Sequence, residues 1–295
     1  MNSLAYIIIP VHNRKNITLK CLETLKANGD LQRYNILIID DGSTDGTDQA
    51  IRAQYPFAKI LYGDGNLWWG GGIRKGMEYA YTKGAEYFIW LNDDCYPSQG
   101  AIDGLIQYCQ SHAKAIVGAQ CVDPDTLKPS YGGIHLCHYK IQSINAEFGT
   151  VIECDALNGN LVCLPRSVIN TIGYPDSINF PHHYNDFVYT QKARKKGYSL
   201  FILHQVKVYC INDSLGTSWL ELSPISLVNI WKSLYNNKSY YYWKISLKAY
   251  QSFFEFPGIF IYFYNRVFKL LLASLMIIII PLQVRQYIKA KTKLL

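Results

Sequence analysis

The eight residues Phe88-Ile89-Trp90-Leu91-Asn92-Asp93-Asp94-Cys95 narrow the fold more than any other stretch of this 295-residue chain. An unbroken apolar run reads as a strand covered on both faces, which is how α/β proteins bury parallel sheets. The run then stops on two adjacent carboxylates. Just past the C-terminal end of such a strand, they would face the crevice where open α/β sheets bind ligands. Two hard oxygen donors there suit Mg²⁺ or Mn²⁺ held against a diphosphate. A solvated turn is the alternative, since Asn and Asp are good turn formers. The neighbouring segments favour the first reading.

Ala5-Tyr6-Ile7-Ile8-Ile9-Pro10 is a β-branched run closed by proline, hence a strand. The polar loop Val11-His12-Asn13-Arg14-Lys15 follows, then a helix with Leu19, Leu22 and Leu25 on one stripe and Asn28-Gly29 as its stop. Ile36-Leu37-Ile38-Ile39 is a second strand, leading into Asp40-Asp41-Gly42-Ser43-Thr44-Asp45-Gly46-Thr47. Strand, helix and strand at this spacing form a βαβ unit, which is parallel and right-handed in nearly all cases. The acidic turn can cap the next helix through Ser43, Thr44 or Asp45, or accept hydrogen bonds from a base imide or a ribose hydroxyl. Neither GxGxxG nor GxxxxGK[ST] occurs, so no dinucleotide cofactor and no P-loop ATP is indicated.

Residues 57–62 read as a third strand. The segment Gly63-Asp64-Gly65-Asn66-Leu67-Trp68-Trp69-Gly70-Gly71-Gly72-Ile73-Arg74-Lys75-Gly76 is expected to let backbone approach a ligand. A helix opening near Gly72 would present amides to an anion, with Arg74 and Lys75 either adding charge or simply solvated. Beyond the 88–94 stretch come a helix over 98–111, a strand over 115–119, mixed β and turn over 121–156, and an Asn158-Gly159 turn before another strand. Phe180-Pro181-His182-His183-Tyr184-Asn185-Asp186 leads into a helix capped by Asn185 or Asp186 and ending at Arg194-Lys195-Lys196-Gly197. Two closing strands are expected over 198–203 and 206–211. His135 and His138 have no third ligand nearby and read as ordinary histidines.

In order and spacing, Ile7-Ile8-Ile9-Pro10-Val11-His12-Asn13-Arg14, Asp40 to Thr47, Asn66 with Gly70-Gly71, and Asn92-Asp93-Asp94 resemble the motifs of family 2 glycosyltransferases. More narrowly, the chain is similar to the rhamnosyltransferase-like branch that extends O-antigen and other surface polysaccharides, over roughly residues 4–215. The resemblance implies a GT-A fold: α/β, a Rossmann-like, mostly parallel mixed sheet flanked by helices. It also implies a nucleotide-sugar donor. Pro10, His12 and Arg14 match the loop packed around the nucleotide, and Asp40 and Asp41 match the turn that reads base and ribose. Asn66, Gly70, Gly71 and Arg74 belong to the donor segment. Asn92-Asp93-Asp94 occupies the DxD position, with Asn92 replacing the first Asp. Asp94 is then the first metal ligand and Asp93 the second, for Mg²⁺ or Mn²⁺. Asn158 and Gly159 match the loop beneath the donor sugar, where a small residue leaves room for the pyranose. Asp186 matches the general base of inverting members, and His182 and His183 lie on the acceptor side. Where many relatives carry a metal-associated histidine, this chain has Cys210, followed by Asn212 and Asp213.

Charge is divided unevenly. Residues 1–221 carry a net −2 and residues 222–295 a net +9, within a total of +7. Such asymmetry points to a polyanionic surface beside the C-terminal part. There, aromatics alternate with lysines before the apolar run 270–282, which is shorter than the roughly twenty residues of a full span. Interfacial aromatics and basic residues favour a helical appendage lying on or partly in anionic lipid. RNA would find nothing to contact in Ile277-Ile278-Ile279-Ile280, so no nucleic-acid partner is expected. The expected domains are therefore 1–218, catalytic, and 219–295, membrane-associating. Eight cysteines without a CxxC pair, and an N-terminus without a basic n-region, predict reduced, mostly buried thiols and a cytoplasmic site of action.

The combined expectation is an inverting, metal-dependent glycosyltransferase. It would move a sugar from dTDP-rhamnose or a UDP-hexose to a hydroxyl of a lipid-linked glycan or oligosaccharide, on the cytoplasmic face of the membrane. A non-catalytic membrane-associated nucleotide-sugar-binding scaffold and a nucleotidyltransferase are the alternatives. The latter would normally show a Gly-rich basic signature where His12-Asn13-Arg14 stands.

Overall fold

The computed structural model describes residues 4–211, 224–236, 239–281 and 283–284. The chain falls into two compact units, Met1–Asn212 and Asp213–Leu295. The domain boundary expected at 218/219, like Asn212 and Asp213, lies outside the described residues.

The first unit runs β1 (Ala5–Val11), α1 (Lys15–Ala27), α2 (Asp30–Arg33), β2 (Asn35–Asp40), α3 (Thr47–Gln54), β3 (Lys59–Tyr62), α4 (Trp68–Thr82), β4 (Tyr87–Leu91), β5 (Tyr96–Pro97) and α5 (Ala101–Ser111). It continues through β6 (Ala115–Val122), β7 (Gly133–Cys137), β8 (Lys140–Ile144), β9 (Val151–Cys154), β10 (Ala156–Leu157), β11 (Leu161–Pro165), α6 (Arg166–Ile172), α7 (Asn185–Lys195) and β12 (Ser199–Tyr209). The large sheet has the order β3-β2-β1-β4-β11-β6-β12-β5, with β9 added on β12, and β10-β7-β8 form a small second sheet. β3, β2, β1 and β4 are mutually parallel. β11 runs antiparallel between β4 and β6.

This is a GT-A-like mixed α/β fold, and it follows from the apolar runs. Ile7, Ile8 and Ile9 on β1, Leu37, Ile38 and Ile39 on β2, and Phe88, Ile89, Trp90 and Leu91 on β4 are fully buried. Alternate residues of each strand enter the cores on opposite sheet faces. Parallel alignment also brings the ends of β1, β2 and β4 to one edge, so their three polar loops emerge together.

Three expectations need correction. The helix expected to open near Gly72 begins at Trp68, so the glycine run lies inside it. There a Cβ on Gly76 would stand 2.3 Å from Ile8 Cγ2, and one on Gly72 3.0 Å from Pro10 Cβ. These glycines let α4 lie against β1 and β2. The two closing strands are one, β12, with a register irregularity between Leu203 and Lys207 against β6. The cysteines are not all free thiols: Cys95, after β4, and Cys210, after β12, form a disulfide. Sheet order puts these residues together across 115 positions. Of the six free cysteines, all but Cys137 are buried.

The second unit contains α8 (Pro224–Ser233), α9 (Trp243–Phe254) and a continuous helix from Gly258 to Ile279 made of α10 (Gly258–Tyr262), a π-helical stretch (Phe263–Phe268) and α11 (Lys269–Ile279). Tyr262 packs edge-on against Tyr250 of α9, and the Arg266 guanidinium lies over Tyr240 and Tyr241. Phe256, Phe260, Phe263, Phe268, Leu271, Leu275 and Ile278 are exposed. They recur every three to five residues, the five-residue step falling in the π-helical stretch, and with Tyr264, Leu272 and Ile279 they make a broad exposed apolar face. At 22 residues, Gly258–Ile279 is long and apolar enough to cross a membrane by length and composition.

Gly76→Ala should overpack the α4–β1 contact, because Ile8 is rigid and enclosed. We expect a loss of about 1–3 kcal/mol, read as a lower urea midpoint at unchanged slope.

Candidate active site

The first polar loop begins where β1 ends. His12 Nδ1 lies 2.6 Å from the Asp41 carbonyl, so its Nδ1–H donates there. The Asn13 side-chain oxygen accepts from the Thr44 amide at 2.7 Å. These bonds tie the β1 loop to the β2 loop. Arg14 then reaches the third loop, after β4. Its Nη1 donates to Asp93 Oδ1 at 2.9 Å and its Nη2 to Asp94 Oδ2 at 2.8 Å.

The two carboxylates under Arg14 differ. Asp93 is buried, and its second oxygen accepts the Thr18 hydroxyl at 3.0 Å. Burial pushes the Asp93 carboxyl up to about 6, against the opposing pull of Arg14. Both of its oxygens are occupied by protein donors. The Asp94 side chain is 41% exposed. Mg²⁺ and Mn²⁺ bind through one or two carboxylates plus substrate phosphates and water, and the partly exposed Asp94 carboxylate fits that donor set. Among the described residues, no three His, Cys, Asp or Glu side chains form a ready-made metal cage.

Asp41, expected to read the nucleotide, is buried and holds the following loop. Oδ1 accepts the Gly65 amide at 2.8 Å and Oδ2 the Trp68 amide at 2.9 Å. Trp68 has a positive φ of 55°, a conformation that costs energy for a bulky residue, and the Asp41 bond is one contact that pins it. Asp40 accepts the Ser43 amide at 2.9 Å through one oxygen. Asn66 is exposed, with its amide bonded to Asp64. Gly70 and Gly71 approach protein rather than open space: the Gly70 amide donates to the Pro181 carbonyl at 2.7 Å, and Gly71 faces Leu67. Arg74 pairs with Glu78 on a partly exposed face of α4.

The base candidate sits at the first turn of α7. That helix is preceded by Tyr184 in the left-handed region, not capped by Asn185, whose side chain instead donates to the Phe180 carbonyl at 2.6 Å. Asp186 Oδ2 accepts the Gly159 amide and Oδ1 the Phe187 amide, both at 2.8 Å. Burial raises its carboxyl to about 6, although these amides oppose the shift. Asn158 turns the chain here by accepting the Asn160 amide at 3.1 Å. His182 packs against Trp68 and His183, with ring centroids 5.5 and 4.4 Å apart. His204 is buried, with its Nδ1 bonded to the Ala146 carbonyl.

Asn160 and Trp69, to which the sequence alone assigned no role, join these parts through Asn92. Asn92 Nδ2 donates to Asn160 Oδ1 at 2.7 Å, and Asn92 Oδ1 accepts the Trp69 indole N–H, also at 2.7 Å. The Trp69 ring fills the space beside Gly159, where a Cβ would meet Cζ2 at 2.5 Å. The absence of a side chain at Gly159 thus lets the Trp69 indole pack against this turn. Asn92, Asn160, Gly159 and Asp186 form one bonded series, so the Asp93-Asp94 turn and the base candidate share a neighbourhood.

The loops after β1, β2 and β4 meet at the carboxyl ends of parallel strands, the edge at which open α/β sheets bind ligands, with Arg14 and Asp94 there and Asp186 joined to them through Gly159. The profile described as "Glycosyl transferase family 2" matches residues 6–156, and the chain belongs to that family. No curated protein matches the chain. Among solved structures, it is similar to GalNAc-T7 with UDP, GalNAc and Mn²⁺, at 14% identity and TM-score 0.59, covering 84% of this chain and 51% of that one. S. aureus TarS with UDP-GlcNAc gives 14% identity and TM-score 0.55, covering 92% and 78%. A mannosyltransferase, PcManGT from Pyrobaculum calidifontis, with GDP-Man and Mn²⁺, gives 13% and 0.56, covering 100% and 81%. The chain thus spans about half the length of GalNAc-T7, and at these identities the likeness concerns the fold.

Asp41→Ala should free two amides. Hydrogen exchange at Gly65 and Trp68 should accelerate, and stability should fall by about 2–4 kcal/mol, as for lost bonds to a charged acceptor.

Proposed function

We propose that the chain is an inverting glycosyltransferase acting on a nucleotide-diphosphate sugar. The observation that carries this is the bonded series from the Asp93-Asp94 turn through Asn92, Asn160 and Gly159 to Asp186. It joins a diphosphate-side carboxylate to a second carboxylate with separate duties. Arg14 and Asp94 would face the diphosphate, with Asp94 holding Mg²⁺ or Mn²⁺. Such an ion, when bound, supplies positive charge against the leaving nucleoside diphosphate. Asp186 would accept the proton of the attacking hydroxyl. Its raised pKa makes it a stronger base than an ordinary carboxylate while leaving it ionised at neutral pH. His12 and the 40–47 turn would border the nucleotide, with Asp40 keeping one carboxylate oxygen for a ribose or base.

The donor we favour is dTDP-rhamnose or a UDP-hexose. The acceptor is a lipid-linked glycan of a surface polysaccharide such as O-antigen, reached from the cytoplasmic face. The support is the motif pattern together with the second unit, whose exposed apolar face and net positive charge suit anionic lipid. Asn265, Arg266 and Lys269 inside Gly258–Ile279 favour a helix lying in the interface, since a cation at the centre of a span costs about 2.5–3.5 kcal/mol.

Asp186→Asn should lower kcat by about 10²–10⁴-fold while nucleotide affinity stays at the parent value. In the parent, kcat should fall as pH drops through about 6, where Asp186 becomes protonated and can no longer accept a proton. Full transfer by the folded variant would remove Asp186 from the base role. For the second unit, the protein should sediment with phosphatidylglycerol vesicles and less with phosphatidylcholine ones. Phe260→Ser combined with Leu275→Ser should weaken that binding by about a hundredfold or more, from two apolar side chains at about 1.5–3 kcal/mol each.

A further inference from the structure

Arg14 is placed where a metal-dependent site would not ordinarily want a fixed cation. Its guanidinium bridges Asp93 and Asp94 and takes Asp94 Oδ2 at 2.8 Å, the carboxylate on which the proposed function relies for its divalent ion. Guanidinium does not lose its charge at any accessible pH. A divalent ion on the same carboxylate would stand within a few ångströms of it, and two cations at that spacing repel strongly.

The flanking contacts show how the conflict resolves. Asp93 has the Thr18 hydroxyl as a second partner and sits beneath the loop, so Arg14 keeps an anchor there when it leaves Asp94. Arg14 is the residue immediately before α1, with φ of −134°, and its side chain is 39% exposed. The half that touches Asp94 lies on the open side. A diphosphate arriving in the crevice offers the freed guanidinium edge the oxygen pair its fork geometry matches.

We propose that Arg14 and the divalent ion are exchange partners on Asp94. With the crevice empty, Arg14 neutralises the carboxylate turn and keeps the ion weakly bound. When a nucleoside diphosphate binds, Arg14 pivots on Asp93 toward a phosphate oxygen and yields Asp94. Metal and nucleotide then bind with positive linkage, each raising the other's affinity by the same factor. This inference rests on the assignment of Asp94 as metal ligand and adds the order in which the site is charged.

The test is titration of Mn²⁺ into the full chain by calorimetry, first alone and then with saturating UDP or dTDP. Arg14→Gln should bind Mn²⁺ alone about tenfold more tightly than the parent, within the usual span of coupling between two sites. The further gain from added nucleotide should shrink by a similar factor. Arg14→Lys, whose ammonium keeps the charge but lacks the planar fork that spans the two carboxylates, should fall between the two, and it carries the test if Arg14→Gln does not fold. Folded Arg14 variants that bind Mn²⁺ no more tightly than the parent, or keep the full nucleotide effect, would overturn the exchange. Asp94→Asn separates the two ideas. Loss of Mn²⁺ binding there leaves the metal assignment standing whatever Arg14 does, whereas parent-like binding removes that assignment and the exchange with it.

Discussion

The pairing of β4 with β11 does not stop where the strands do. Leu161 stands opposite Leu91, and one step further the Asn92 amide donates to the Asn160 carbonyl at 3.0 Å while the two side-chain amides meet. Every other feature of the site depends on this junction. It welds the parallel half of the sheet to an antiparallel strand from a distant part of the chain. It sets the carboxylate turn beside Gly159, and through Gly159 beside Asp186. Asn92 also accounts for its own departure from the family pattern. An ionised Asp could accept from Trp69 but could not donate to Asn160, and an unmet donor or acceptor at a half-buried position costs about 1–3 kcal/mol.

The acidic residues of the crevice divide their work. Asp41 and Asp93 are enclosed and spend both oxygens on protein donors, so their charge holds loops in place. Asp186 also accepts an amide on each oxygen while burial raises its carboxyl, and Asp94 is the partly exposed member, held on one oxygen by the Arg14 guanidinium. The same residue type thus serves two purposes a few residues apart, and the deciding variable is which backbone amides and cations each carboxylate meets.

The parallel strands were legible in advance because each is a short apolar run ended by a polar loop, and burial on both faces leaves few other readings. The α1 stripe of Leu19, Leu22 and Leu25 was legible for the corresponding reason at helical period. The start of α4 was not. Three consecutive glycines look like a loop, and only their packing against Pro10, Asn185 and Leu67 makes them helical. β12 looked like two strands, since its irregularity falls where His204 and Gln205 break the apolar run.

For the site, the chain alone determined which polar loops would emerge together, because polar and acidic residues just after buried strands have one edge of a parallel sheet to occupy. It also determined that a basic, aromatic C-terminal region follows. Only the tertiary structure decided which carboxylates are free, that Trp69 fills the space beside Gly159, and that Cys95 meets Cys210. Those outcomes join residues dozens to more than a hundred positions apart. They follow from strand order and helix packing, which no local spacing of residues encodes.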